Sequence, residues 1–63
     1  MPRYKVEVVF DGARAGKYMF EGNLKISVLA RNVEEAFESA REFVADWEGV
    51  RWAEAANAEE VEE

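Results

Sequence analysis

Residues 24–37 read LKISVLARNVEEAF, and this passage decides the fold. Leu24, Ile26, Val28 and Ala30 alternate with Lys25, Ser27, Leu29 and Arg31, the period of two of a half-buried strand. At Asn32 the period changes. Val33, Ala36, Phe37, Ala40, Phe43, Val44 and Trp47 recur at steps of three and four, which makes one apolar stripe on a helix. Asn32 is a good N-cap residue, and Glu35 three positions later approaches a capping box. Gly49 suits the left-handed position that closes a helix, so the helix is placed at about 33–48.

Upstream, Tyr4, Val6, Val8 and Phe10 alternate with Arg3, Lys5 and Glu7, a second half-buried strand. Asp11-Gly12 stops it, and 12–16 reads as a loop. Residues 17–21 form a short strand, and Gly22-Asn23 suits a hairpin turn into the strand at 24–31. Downstream, Val50 and Trp52 resume alternation in a last strand that fades by Ala56. The expected fold is α+β: a small antiparallel sheet of three to four strands with one amphipathic helix on one face, in the order β-β-(β)-α-β. Residues 1–56 form the single domain, and 57–63 are an acidic, frayed tail. A right-handed crossover sets the last strand parallel to the strand before the helix, with the first strand between them and antiparallel to both. The core comprises Tyr4, Val6, Val8, Phe10, Leu24, Ile26, Val28, Ala30, the seven helix positions, Val50 and Trp52, and the outer strands have open edges.

A chain of 63 residues buries only about 60% of its unfolded surface and is marginally stable without help. There is no cysteine and no histidine, which removes disulfides, thiolate metal sites and the commonest general base. Good packing or self-association is the remaining support. No apolar run approaches the ~20 residues that span a bilayer, no signal-peptide pattern opens the chain, and a cytoplasmic location is expected. The net charge of −6 is unevenly placed. Residues 1–31 carry six bases against three acids, whereas 32–63 carry two bases against eleven acids. One mildly basic and one acidic surface follow.

The residues offer little catalytic chemistry. Ser27 and Ser39 are the only hydroxyls besides the tyrosines, and no histidine serves either one. Residues 12–17, GARAGK, resemble a phosphate loop, but the glycine spacing is three rather than four and Tyr18 stands where Ser or Thr belongs. The acids do not fall at loop spacings that converge several oxygens on a metal. Neither a catalytic site, a cofactor site nor a metal site is therefore expected. A basic outer sheet face (Arg3, Lys5, Lys25 and Arg31, with Arg51 a further candidate) offers contacts to phosphates, but the aromatics of these strands point inward, which disfavours base stacking and direct nucleic-acid binding.

Two features break local rules. Glu34, Glu38, Glu42 and Asp46 follow one another at i, i+4, where like charges repel, and Asp46 lies near the helix C-terminus, where the dipole prefers cations. With Glu35 they form an acidic face comparable in pitch to a nucleic-acid backbone, suited to a basic surface on another protein. Tyr18, Met19 and Phe20 are three consecutive large apolar residues on a short strand; not all can face one core, so at least one, Met19 or Tyr18, is expected to be exposed and available for contact.

The passages YKVEV at 4–8 and VLARNVEEA at 28–36, with the acidic tail, give the chain a layout that resembles small acidic proteins of phages and mobile elements, among them anti-CRISPR inhibitors. Those inhibitors share no common motif, so the resemblance carries over no residue. It implies a host-cytoplasmic inhibitor. The sequence thus points to a non-catalytic protein-binding module, an inhibitor that engages a nucleic-acid-binding protein or complex through the acidic helix face. The alternative is a homo-oligomer, a homodimer in the simplest case, joined through open strand edges. No membrane partner is expected.

Overall fold

The computed structural model describes residues 1–61. The elements are β1 (Arg3–Arg14), β2 (Tyr18–Leu29), α1 (Val33–Ala45) and β3 (Val50–Val61). They form a three-stranded antiparallel sheet in the order β2-β1-β3 with one helix, the α+β order expected. β1 lies at the centre and runs antiparallel to both neighbours.

Two glycine pairs that read as turns lie inside strands instead. Gly12 pairs with Phe20 and Phe10 with Gly22, so the β1–β2 ladder continues without a break from Arg3↔Leu29 to Arg14↔Tyr18. The space beside each glycine is taken by the ring opposite. A Cβ on Gly22 would stand 3.2 Å from the Phe10 ring, and one on Gly12 would stand 2.5 Å from the Phe20 ring and collide with the Gly49 carbonyl. Cross-strand aromatic cover of strand glycines is a known way to hold register. The hairpin turn falls at 14–17 rather than at Gly22-Asn23. Lys17 N–H donates to the Arg14 carbonyl, and Ala15 and Gly16 both have positive φ. That pair of left-handed residues matches the right-handed twist of the strands it joins.

β3 is far longer than the sequence suggested. The segment from Asn57 expected to fray is strand through Val61, hydrogen-bonded along β1; residues 62 and 63 lie outside the described residues. Two register shifts hid it. One separates Glu7↔Asn57 from Val8↔Ala55, and the other separates Asp11↔Trp52 from Gly12↔Val50. Each extra residue flips the side chains that follow to the other face. Ala53, Ala55 and Ala58 therefore face the helix although their spacing is not strictly two. The same flip corrects Trp52: it was expected in the core and is 48% exposed on the outer face opposite Asp11.

The helix starts as read. Asn32 is the N-cap, its Oδ1 accepting from Glu35 N–H at 2.8 Å, while Glu35 accepts from the Arg31 backbone and guanidinium. It ends at Ala45, three residues before the expected position, and Gly49 then turns the chain at φ 90°. The closed core is Tyr4, Val6, Val8, Ala30, Ala36, Ala40 and Val44. Val33, Phe43 and Trp47 belong to the expected stripe but are exposed at its margins. Trp47 makes edge contacts with Phe10 and Phe43, at ring-centroid distances of 5.9 and 5.8 Å.

Candidate protein interface

The helix does not sit centrally on the sheet. It packs mainly on β3 and β1 and touches β2 least. Side-chain size accounts for this. The inner face of β3 is built from Ala53, Ala55 and Ala58, and that of β2 from Leu24, Ile26 and Val28. Close packing draws the helix down onto the short side and leaves the tall side uncovered. A groove of about 330 Å³ remains between α1 and β2, lined by Ile26, Ser27, Val28, Ser39, Ala40 and Phe43. Phe43 is 56% exposed at its rim.

The helix is also short for the sheet. Its 13 residues span about 20 Å, whereas the 12 residues of β2 span about 40 Å. With Ala30 N–H on the Pro2 carbonyl at one end and Trp47 on Phe10 at the other, α1 covers the half of the sheet away from the hairpin tip. The tip half carries Tyr18, 61% exposed, and Met19, 77% exposed. Phe20 is half-buried over Gly12. Lys17 Nζ lies 5.1 Å from the Tyr18 ring centroid. A larger and more polar hollow, about 570 Å³, lies at this end between Asp11, Met19, Glu21 and Arg51.

The acidic residues divide. Glu35 is committed to the helix start through its 3.2 Å ion pair with Arg31. Glu34, Glu38, Glu42 and Asp46 are exposed, and no ion pair joins them to a base among the described residues. Because an i, i+4 step advances 400° rather than 360°, the four drift across the solvent face from the β3 flank toward the β2 flank. They form a diagonal instead of a straight ladder. The basic sheet face changes character too, because the extended β3 places Glu59 opposite Lys5 and leaves Glu7 between Lys25 and Asn57. The outer face is thus mixed in charge. On the inner face Tyr4, buried with the core, has its hydroxyl pKa raised, first by burial and then by the nearby carboxylates of Glu60 and Glu34.

Sequence reasoning anticipated exposure at Met19 or Tyr18 but missed the groove. The available signal was the contrast between three alanines on β3 and three large aliphatics on β2, obscured by the bulges. Among the described residues no group of three or more acid side chains converges to hold a metal, and no helix is long and apolar enough to cross a membrane. Comparison with protein-family models, with curated proteins and with solved structures finds no match for this chain.

Proposed function

We propose that the chain is a non-catalytic protein-binding module whose contact surface is the β2 flank. One observation carries this reading: along the unpaired edge of β2 an apolar groove with exposed Phe43 at its rim lies toward one end, and exposed Tyr18 and Met19 stand at the other. Aromatic and methionine side chains around an apolar hollow are what protein interfaces enrich. The accessible surface supports it as well. At 4668 Å² it exceeds the about 4100 Å² typical of a 7.2 kDa monomer. A photoreactive residue at position 43 should give discrete protein adducts in cells, another copy of the chain included. The same residue at position 41, on the β3 flank, should not. Equal labelling from both positions would sink the assignment.

A second reading has its own observation. Glu34, Glu38, Glu42 and Asp46 stand exposed on the helix without a base among the described residues, which suits an inhibitor that meets a basic, nucleic-acid-binding surface. Such a contact is salt-sensitive and governs association rate more than dissociation. Replacing Glu34, Glu38 and Glu42 by Lys should then abolish capture of the partner while circular dichroism stays unchanged. Undiminished capture would leave the acids as a solvated face.

A further inference from the structure

We infer that the partner at the β2 flank is a second copy of this chain, joined edge to edge through β2 about a two-fold axis at Asn23. The inference rests on the protein-binding reading above and names its occupant.

The two sheet edges are not alike. β3 is interrupted by bulges and carries Glu54, Glu59 and Glu60 against Arg51, features that discourage edge pairing. β2 has no register shift and no proline over its 12 residues. Its only charges are one acid, Glu21, and one base, Lys25. The backbone is correctly presented. Ala30 N–H bonds to the Pro2 carbonyl, so even-numbered residues of this ladder bond to β1 and odd-numbered ones from Met19 to Leu29 direct N–H and C=O outward.

The two charges fix the register. Pairing two β2 strands antiparallel with Asn23 opposite itself puts Glu21 of each copy opposite Lys25 of the other, giving two cross-strand ion pairs. Met19 then meets Ser27 on the outer face, while Phe20 meets Ile26 and Tyr18 meets Val28 on the inner face. Registers displaced by one pair in either direction lose both charge matches. This register also answers the short helix. The uncovered half of one β2, with Tyr18, lies beside the helix-covered half of the other, so each Tyr18 reaches the groove of Val28 and Phe43 in its neighbour. Each helix then borders the half of the joint sheet that its partner leaves bare. A two-fold contact of this kind is self-complementary, as a closed dimer requires.

The test uses the purified full chain. Sedimentation equilibrium should give twice the monomer mass at high concentration, dissociating on dilution. Glu21→Lys should weaken the dimer about tenfold, since two attractive pairs become repulsive, and Glu21→Lys with Lys25→Glu should restore it. The chain has no cysteine, so Asn23→Cys reports the axis directly. Facing residues at a hydrogen-bonded antiparallel site lie about 5.5 Å apart between Cα atoms, within disulfide range. That variant should oxidise to a covalent dimer, and Glu54→Cys on the β3 edge should not. A dimer cross-linked by Glu54→Cys and not by Asn23→Cys would overturn the inference. So would a strict monomer whose position 43 labels a different protein in cells, a result that leaves the protein-binding reading standing. A strict monomer with no labelling at position 43 would remove both.

Discussion

The two flanks of the helix are built from the same sheet and the same apolar stripe, yet one is closed and the other open. On the β3 flank three alanines let the helix settle, and the backbone of Gly49 comes close enough to accept a hydrogen bond from Ala13 N–H at 2.9 Å. On the β2 flank Leu24, Ile26 and Val28 hold the helix away, and Phe43 is left in water. A core of few residues cannot fill both sides with one short helix. What closes one flank opens the other, and the open one becomes the surface available to a partner.

Two glycine substitutions probe this difference most sharply. A methyl group at Gly12 meets the Gly49 carbonyl, which is backbone and fixed, as well as the Phe20 ring. Gly12→Ala should lose about 3 kcal/mol, the upper part of the range for overpacking, a large share of the about 3–9 kcal/mol available to a domain this size. Gly22 sits on the open edge, where the added methyl meets only the Phe10 ring at 3.2 Å. Gly22→Ala should stay within about 0.5 kcal/mol of wild type, because ring displacement and the stiffer unfolded chain offset each other. Urea midpoints measure both. Equal losses would mean the flanks are equally tight.

A second pair tests the packing argument itself. Ala55→Leu puts a large side chain on the closed flank and should cost about 2 kcal/mol by forcing the helix off its seat. Phe43→Ser on the open flank should cost less than about 1 kcal/mol in the monomer, since more than half of the ring is already in water. Measuring at low protein concentration keeps self-association out of the comparison. If Phe43→Ser were the more damaging change, the groove would be core and not contact surface.

Those pairs mark where the sequence was readable. The strand-to-helix passage carried its own signals: a clean period of two, the Asn32 cap, then steps of three and four. Each is local: the strand period and the cap appear in the fold as read, and the helix follows them, with Val33, Phe43 and Trp47 of its stripe left exposed. Gly12, Gly22 and the β3 alanines were not readable, because their meaning is set by residues far away in sequence. A glycine beside Asp or Asn reads as a turn unless a phenylalanine lies across from it, and the strand partner is what supplies that ring. The bulges of β3 erased the alternation that would have announced Ala58 and Val61 as strand. Tyr18 and Met19 were legible as exposed because three large residues in a row cannot share one face. The groove at the other end of β2 depends on where the helix sits across the sheet, and no single element encodes that.

The hairpin tip at the end of the open flank offers a smaller gain. Ala15 holds φ 54°, a left-handed conformation that costs a residue with a Cβ about 1–2 kcal/mol. Asn tolerates it better, and Asn-Gly is the preferred pair for a turn with both central residues left-handed. Ala15→Asn should therefore stabilise the chain by about 0.5–1 kcal/mol. A rise in thermal midpoint checks this. No change would mean that the turn relaxes in solution and the tip is looser than the ladder implies.

The smallest effect lies at the closed flank and depends on pH. Tyr4 is buried where β1, the helix start and the end of β3 converge, and its hydroxyl pKa stands above the usual value of 10.0 because of burial and the nearby carboxylates of Glu60 and Glu34. The unfolded chain releases this proton near the ordinary value while the folded chain still holds it, so the unfolded state is favoured as pH rises. The stability linked to Tyr4 is whole below pH 10 and is lost as the pH climbs from there through the raised folded-state value. The informative quantity is a difference between two proteins that share every group but this one. Urea midpoints at about pH 8 and about pH 11 should fall further in wild type than in Tyr4→Phe, which has no proton to release. Equal falls would mean that Glu60 is not seated against Tyr4, that β3 frays beyond Ala58, and that the closed flank is open at this end as well.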